Sequence, residues 1–254
     1  MWRKVLGWLV TPFYAIVFFS ILCIFHPFLW LGHKLFGYQF LKTEVDYFMY
    51  ALLKSLYLMG VRYTFVQSPD KMPLDKPMII ISNHQSMFDI PIIGYLLRAH
   101  HPKFIAKQEL SRGIPSVSFN LRHGGSVMID RKDSRQSLIA IKDFADYLNK
   151  NNYAGCIFPE GTRSRTGELK PFKAQGLLML LRSMPEATIV PVAIDGAWQL
   201  MRYNAAPIPF GIHIKVSILP PISRQGKTHE QVISEAETAI RQVLGQYISE
   251  ESNT

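Results

Sequence analysis

Cysteine is almost missing from this chain, with Cys23 and Cys156 the two among 254 residues. So few exclude a disulfide framework and any cysteine-built zinc site, and they fit a reducing compartment. Both lie in apolar surroundings, FFSILCIF and AGCIF, and read as small buried hydrophobes. Acidic residues are missing from the first 43 positions, which carry Arg3, Lys4, Lys34 and Lys42. Charge of either sign is missing from residues 5–31, a run of 27 positions. A Gly-x-Ser-x-Gly elbow is also missing, so nothing points to a serine nucleophile on such a turn. Internal repeats and low-complexity tracts are absent, which removes solenoids and propellers.

What is present bounds the class. Hydrophobic residues make up 48% of the chain and charged residues 19%, which excludes a disordered protein. The length suits one large α/β domain or two small ones and can bury a sizeable core. A mean hydropathy of +0.07 is too low for a polytopic membrane protein and high for a freely soluble one. Net charge is +9, unevenly spread: about +7 falls between residues 44 and 222, and the last 32 residues are near −2. A basic middle calls for an anionic partner: nucleic acid, a phosphorylated substrate or an anionic membrane surface.

The uncharged run would reach roughly 40 Å as one helix, against a hydrocarbon core of about 30 Å. Pro12 and Pro27 each remove a helix hydrogen bond, leaving residues 13–26 as the uninterrupted piece, about 21 Å long and short for a span. After a turn region at 32–38, residues 45–58 set Phe48, Leu52 and Leu56 beside Met49 and Leu53 on helical ridges. The pair reads as a helical hairpin in one leaflet, with Trp2, Trp8 and Trp30 and the flanking Arg3, Lys4 and Lys34 at headgroup level. A single spanning helix is the alternative. No small-x-small site follows the run, which argues against a cleaved signal peptide.

Beyond Gly60, short β-branched runs alternate with amphipathic helices. Strands are expected at 62–67, 78–82, 103–106, 126–129, 155–158, 188–194 and 212–218. Helices are expected at 134–149, capped by Ser134, at 172–183, and at 228–248 behind a Thr228/Gln231 capping box. Pro191 is expected to make its strand an edge or a bulge. The alternation predicts an α/β fold: a mixed, mostly parallel sheet flanked by helices, with an N-terminal membrane-embedded two-helix segment.

Two polar clusters follow apolar strands, where open α/β sheets carry their working groups. In the first, Asn83-His84-Gln85-Ser86-Met87-Phe88-Asp89, Asp89 can return to the His84 imidazole. It would fix the tautomer and leave the other ring nitrogen as a general base. A satisfied histidine beside a helix-capping aspartate has the same spacing. In the second, Phe158-Pro159-Glu160-Gly161-Thr162-Arg163-Ser164-Arg165, Gly161 permits a tight turn, Thr162 and Ser164 offer hydroxyls, and Arg163 and Arg165 offer planar forks for phosphate. Lys170 and Lys173 extend this basic loop, whose other reading is solvated surface. It is not a Walker loop. Lys107 and Arg131 end two further strands.

Together these blocks resemble the glycerolipid acyltransferase family typified by 1-acyl-glycerol-3-phosphate acyltransferases. NHQSMFD (83–89), GGSVMIDR (124–131), FPEGTRS (158–164) and VPVAI (190–194) occur in the family's order, and the resemblance covers about 61–222. The Lys-x-x-Leu-x-x-x-Pro stretch that starts at Lys107 is one residue longer than the family's. The resemblance implies that His84 is the general base, oriented by Asp89, for attack of a lysophospholipid hydroxyl on the thioester of acyl-CoA or acyl-carrier protein. It also implies that Glu160, Gly161, Thr162, Arg163 and Ser164 form the acceptor site, with Arg163 the foremost phosphate partner and Arg131 and Lys107 further cations for the same charge. No metal or other cofactor and no nucleic acid is implied. The expected division is an anchor at 1–60, a catalytic domain at 61–222 and a C-terminal helix at 223–254 packed on it. Membrane lipids are the expected partners and the cytoplasmic face of the cell membrane the expected location. Other acceptors remain open (glycerol-3-phosphate, another lysophospholipid, a lyso-aminolipid). So do a metal-dependent hydrolase ligated by His84, Asp89, His123 and Glu160, and a non-catalytic adaptor for anionic lipid.

Overall fold

A computed structural model describes residues 2–66, 72–130 and 132–246. Arg131 therefore lies outside the described residues, as do Gln67 at the end of the first expected strand and residues 247–248 of the last expected helix.

The first helix, α1 (Trp2–Phe36), is continuous for 35 residues with Pro12 and Pro27 inside it. The expected breaks do not occur. One turn before Pro27, Leu22 O accepts the Ser116 hydroxyl. The carbonyl that Pro27 leaves without its helix donor is that of Cys23, four residues earlier, and in an apolar setting unwinding the helix would leave far more groups unsatisfied. Gly37, at φ 74, turns the chain into α2 (Tyr38–Ser55), which starts earlier than its apolar ridges foretold and packs along α1. The most apolar stretch of α1 is only 11% buried, so α1 is not the core helix of a soluble domain.

The sheet has seven strands: β1 (Arg62–Val66), β2 (Met78–Ser82), β3 (Lys103–Lys107), β4 (Val127–Ile129), β5 (Ala154–Ile157), β6 (Thr188–Asp195) and β7 (His213–Ile218). Their order is β1-β7-β6-β2-β5-β3-β4, with every pairing parallel except β6–β7. This is the mixed, mostly parallel sheet that the alternation predicts. The period of two divides β2 between two cores. Met78 and Ile80 join α2 and α3 (Asp89–Leu96), whereas Ile79 and Ile81 join α5 (Ser134–Asn151), α6 (Ala174–Ser183) and α7 (His229–Val243). The remaining helix, α4 (Val117–His123), precedes β4 and touches α1.

Three local expectations change. Cys23, expected to be buried, is exposed on α1, whereas Cys156 is buried as expected. Asp133, not Ser134, caps α5, its side chain accepting from Gln136 N. Pro191 lies inside β6, a central strand. Its missing N–H is tolerated because the β6–β7 ladder runs only from Val192↔Ile218 to Asp195↔Lys215. Beside Pro191 the chain has left the strand, and Leu219 N donates to Pro191 O. The Thr228/Gln231 capping box forms in full.

Candidate active site

The carboxyl ends of β2 and β5 are neighbours in the parallel sheet, and each expected polar cluster begins there. The chain leaves β2 through Asn83, whose amide acts as a backbone surrogate. Its Nδ2 donates to Ile194 O and its Oδ1 accepts Ile194 N, both at 2.8 Å. His84 follows, and α3 begins at Asp89, which is 0% exposed. Asp89 Oδ2 lies 2.7 Å from His84 Nδ1 and also accepts Gln85 N at 2.6 Å and Ser86 N at 2.8 Å, while Oδ1 accepts the Ser86 hydroxyl. A carboxylate gripped by this many donors cannot rotate. It can only accept, so the imidazole proton rests on Nδ1 and Nε2 keeps its lone pair. The His84 side chain retains 16% exposure, and its ring stacks on Phe158 with centroids 4.2 Å apart.

The loop after β5 closes over this pair. Glu160 Oε1 accepts His84 N at 2.6 Å and Oε2 accepts Lys170 N at 3.0 Å, and Glu160 is 2% exposed. Burial pushes the Glu160 pKa up, and the two N–H donors pull it back. Ser164 N donates to His84 O at 2.7 Å, and the buried Ser164 hydroxyl accepts Gly167 N. Gly161 turns the loop at φ 72. Lys170 Nζ holds the turn from above, donating to Thr162 Oγ1 and Arg163 O. Thr162, Arg163 and Arg165 are exposed, and among the described residues neither arginine has a carboxylate in ion-pair range. Gln85 ties the edge together, accepting Trp198 N and donating to Gly167 O.

The structure thus brings His84, Asp89, Glu160 and Ser164 into one hydrogen-bonded unit, with Gly161, Thr162 and Arg163 on its rim. Lys107 is exposed at the end of β3, two strands from β2, or about 10 Å along the edge. Residues 127–129 of the GGSVMIDR block form β4, one strand further. Two contributors escaped sequence reasoning, and a third, Lys170, is expected from sequence only as a further cation of the loop. Phe158 stacks on the His84 ring, Gln85 links three segments, and Lys170 shapes the arginine loop. All three lie in or beside the quoted blocks, but only the fold reveals their partners. The alternative metal-ligand set is not assembled. His123 packs on His33 and Phe119 at the α1–α4 contact, and among the described residues no three His, Cys, Asp or Glu side chains are grouped to hold an ion.

A histidine held in one tautomer beside a cationic loop, at the carboxyl edge of an α/β sheet, is an arrangement that could take a proton next to an anion. Residues 64–195 match the Acyltransferase family model, and the chain belongs to that family. It is 25% identical over 193 residues to the 1-acyl-sn-glycerol-3-phosphate acyltransferase alpha of Mus musculus, a match covering 76% of this chain and 66% of the relative. It is 32% identical over 173 residues to the 1-acyl-sn-glycerol-3-phosphate acyltransferase of Saccharomyces cerevisiae, covering 66% of this chain and 55% of the relative. The chain thus spans between about half and two thirds of these relatives' length. The crystal structure of the 1-acyl-sn-glycerophosphate (LPA) acyltransferase PlsC from Thermotoga maritima has the same fold, with a TM-score of 0.79 at 22% identity over 99% of this chain and 100% of that one.

Proposed function

We propose that the protein is a membrane-associated O-acyltransferase that converts 1-acyl-glycerol-3-phosphate to phosphatidic acid, with acyl-CoA or acyl-carrier protein as donor. The observation that carries this reading is the 2.7 Å contact between His84 Nδ1 and Asp89 Oδ2, which leaves Nε2 free as a base. Nε2 takes the proton of the acceptor hydroxyl as its oxygen attacks the thioester carbonyl. A tetrahedral intermediate forms, the C–S bond breaks, and the thiolate leaves with the proton that His84 returns. Asp89 stabilises the transient imidazolium. Arg163 binds the acceptor phosphate, aided by Thr162, by Lys107 further along the edge, and by Arg131. Glu160 and Ser164 act through the backbone of His84.

Residues 1–60 serve as the anchor, 61–222 as the catalytic unit, and 223–254 as a C-terminal segment whose α7 packs on α6 and β6. The acceptor and the acyl chain both partition into bilayers, and an anchor at the headgroup plane lets the site meet them without extracting them fully into water. The cytoplasmic face of the cell membrane is the proposed location.

The test is product identification by mass after incubating the detergent-purified protein with a panel of lysolipids, glycerol-3-phosphate and both donor types. Phosphatidic acid from 1-acyl-glycerol-3-phosphate is the expected product. His84→Ala should lower kcat by roughly 10²–10⁴-fold while vesicle binding survives. A variant that turns over near the wild-type rate refutes the role of His84 and favours an adaptor. Preferential turnover of another acceptor keeps the chemistry and replaces the substrate.

A further inference from the structure

The connection between β6 and β7, residues 196–212, runs beside the first turns of α1 and is fastened to them. Arg3 Nε and Nη2 donate to Phe210 O and Gly211 O, Phe210 N donates to Arg3 O, and Ile208 N donates to Thr11 Oγ1. Gly7 permits this closeness, since a Cβ there would stand 2.3 Å from Ile208 O. The connection therefore shares the depth of the α1 N-terminus. Lys4 and Arg202 stand exposed on this shelf. Lys4 Nζ lies 4.7 Å from the Tyr203 ring centroid, and the Arg202 guanidinium lies 5.7 Å from the same ring and 5.5 Å from that of Trp198. Among the described residues neither cation has a carboxylate partner. Trp198 in turn packs on Gly167 of the arginine loop, where a Cβ would meet its indole nitrogen at 2.5 Å. Beside Lys4, the side chains of Trp2, Val5 and Trp8 are 65%, 56% and 57% exposed.

We propose that this Lys4–Tyr203–Arg202–Trp198 ladder is a docking surface for the phosphate headgroups of anionic bilayer phospholipids, separate from the acceptor site at Arg163. Interfacial tryptophans beside unpaired cations match the headgroup layer, where apolar rings and anionic phosphates meet. Stacking on rings holds both cations extended without neutralising them, which lowers the entropy lost when a phosphate binds. The ladder ends at the loop carrying Arg163, so lipid bound along it orients the site toward the membrane surface. The proposal rests on the membrane anchor of the preceding section.

The test is sedimentation of the full chain with vesicles of phosphatidylcholine alone and of phosphatidylcholine mixed with phosphatidylglycerol. Wild-type protein should bind both, and the mixed vesicles more tightly, with the difference vanishing at high salt. Lys4→Gln with Arg202→Gln should weaken binding to mixed vesicles roughly 25-fold, about fivefold per cation. Binding to neutral vesicles and turnover in detergent should not change. Arg135→Gln with Lys142→Gln removes equal charge from α5, on the other face of the sheet, and should change nothing. An unchanged preference for mixed vesicles in the ladder variant overturns the proposal, as does an equal loss in the α5 variant or on neutral vesicles. Failure of wild-type protein to bind neutral vesicles refutes the anchor instead, a separate readout.

Discussion

Glu160, buried beneath a cationic loop, is a carboxylate that among the described residues has no cationic side chain in ion-pair range. Its two oxygens are occupied by the N–H groups of His84 and Lys170. A glutamine there can accept one of those bonds but turns an NH2 toward the other donor, which costs about 1–3 kcal/mol. Glu160→Gln should therefore lower stability by that amount in a denaturant titration. It should also lower kcat by roughly 10- to 100-fold through displacement of His84, with the acceptor KM and the pH midpoint of the rate profile kept, because Asp89 still sets the imidazole. A rise in acceptor KM at unchanged kcat would instead make Glu160 a direct ligand of the acceptor, as the block resemblance implies. The pattern FPEGTRS distinguishes neither role. A glutamate before glycine and two arginines reads as part of a binding surface until the fold turns its carboxylate inward, and no local signal encodes that turn.

At the scale of elements, legibility followed length and period. β2, with Met78, Ile79, Ile80 and Ile81 in a row, was plain, since a fully buried parallel strand needs no polar alternation. α3 and α4, at 8 and 7 residues, are too short to show a period. The α2–β3 junction was invisible because its partners are far apart in sequence. Tyr38, His101 and Tyr153 stack there over the buried Lys103, whose Nζ donates to the Tyr38 hydroxyl, and that hydroxyl lies 2.9 Å from His101 Nδ1. With its lone pairs turned to Lys103, Tyr38 donates to His101, which requires an unprotonated Nδ1. Burial, with help from Lys42, Lys103 and His100, lowers the His101 pKa to about 4 from an ordinary 6.5. The folded state then binds fewer protons than the unfolded one between those values, so stability rises with pH across that window and is lost as pH falls through it. Melts in detergent should show a loss of about 2 kcal/mol between pH 6.5 and 4. His101→Gln should flatten this slope, and an unchanged slope would assign it to other groups.

The whole molecule decides how α1 meets the bilayer. At 35 residues it is roughly 52 Å long, enough to cross the hydrocarbon with length to spare. Yet it is fastened to the α/β unit at Arg3, Thr11, Leu22, His26 and His33, over nearly its full length. Upright in the membrane, α1 would carry with it the 196–212 connection, the Ser116 turn and α4, with their polar backbone, at a cost of several kcal/mol for each unsatisfied group. Lying in the plane, it immerses Trp8, Phe13, Ile16, Phe19, Ile24 and Phe28 and keeps the unit in water. These costs favour the in-plane arrangement as the one to test, and it has a directional consequence. Trp2 and Phe36, 65% and 66% exposed at the two ends, should face the same side. In a Cys23→Ser background, with Cys156 fully buried, Trp2→Cys and Phe36→Cys should both react with a membrane-impermeant maleimide from the face of sealed vesicles that carries the activity. Protection of one end until the vesicles are opened would mean that α1 crosses the bilayer and that its contacts with the 196–212 connection or with α4 come apart in the membrane.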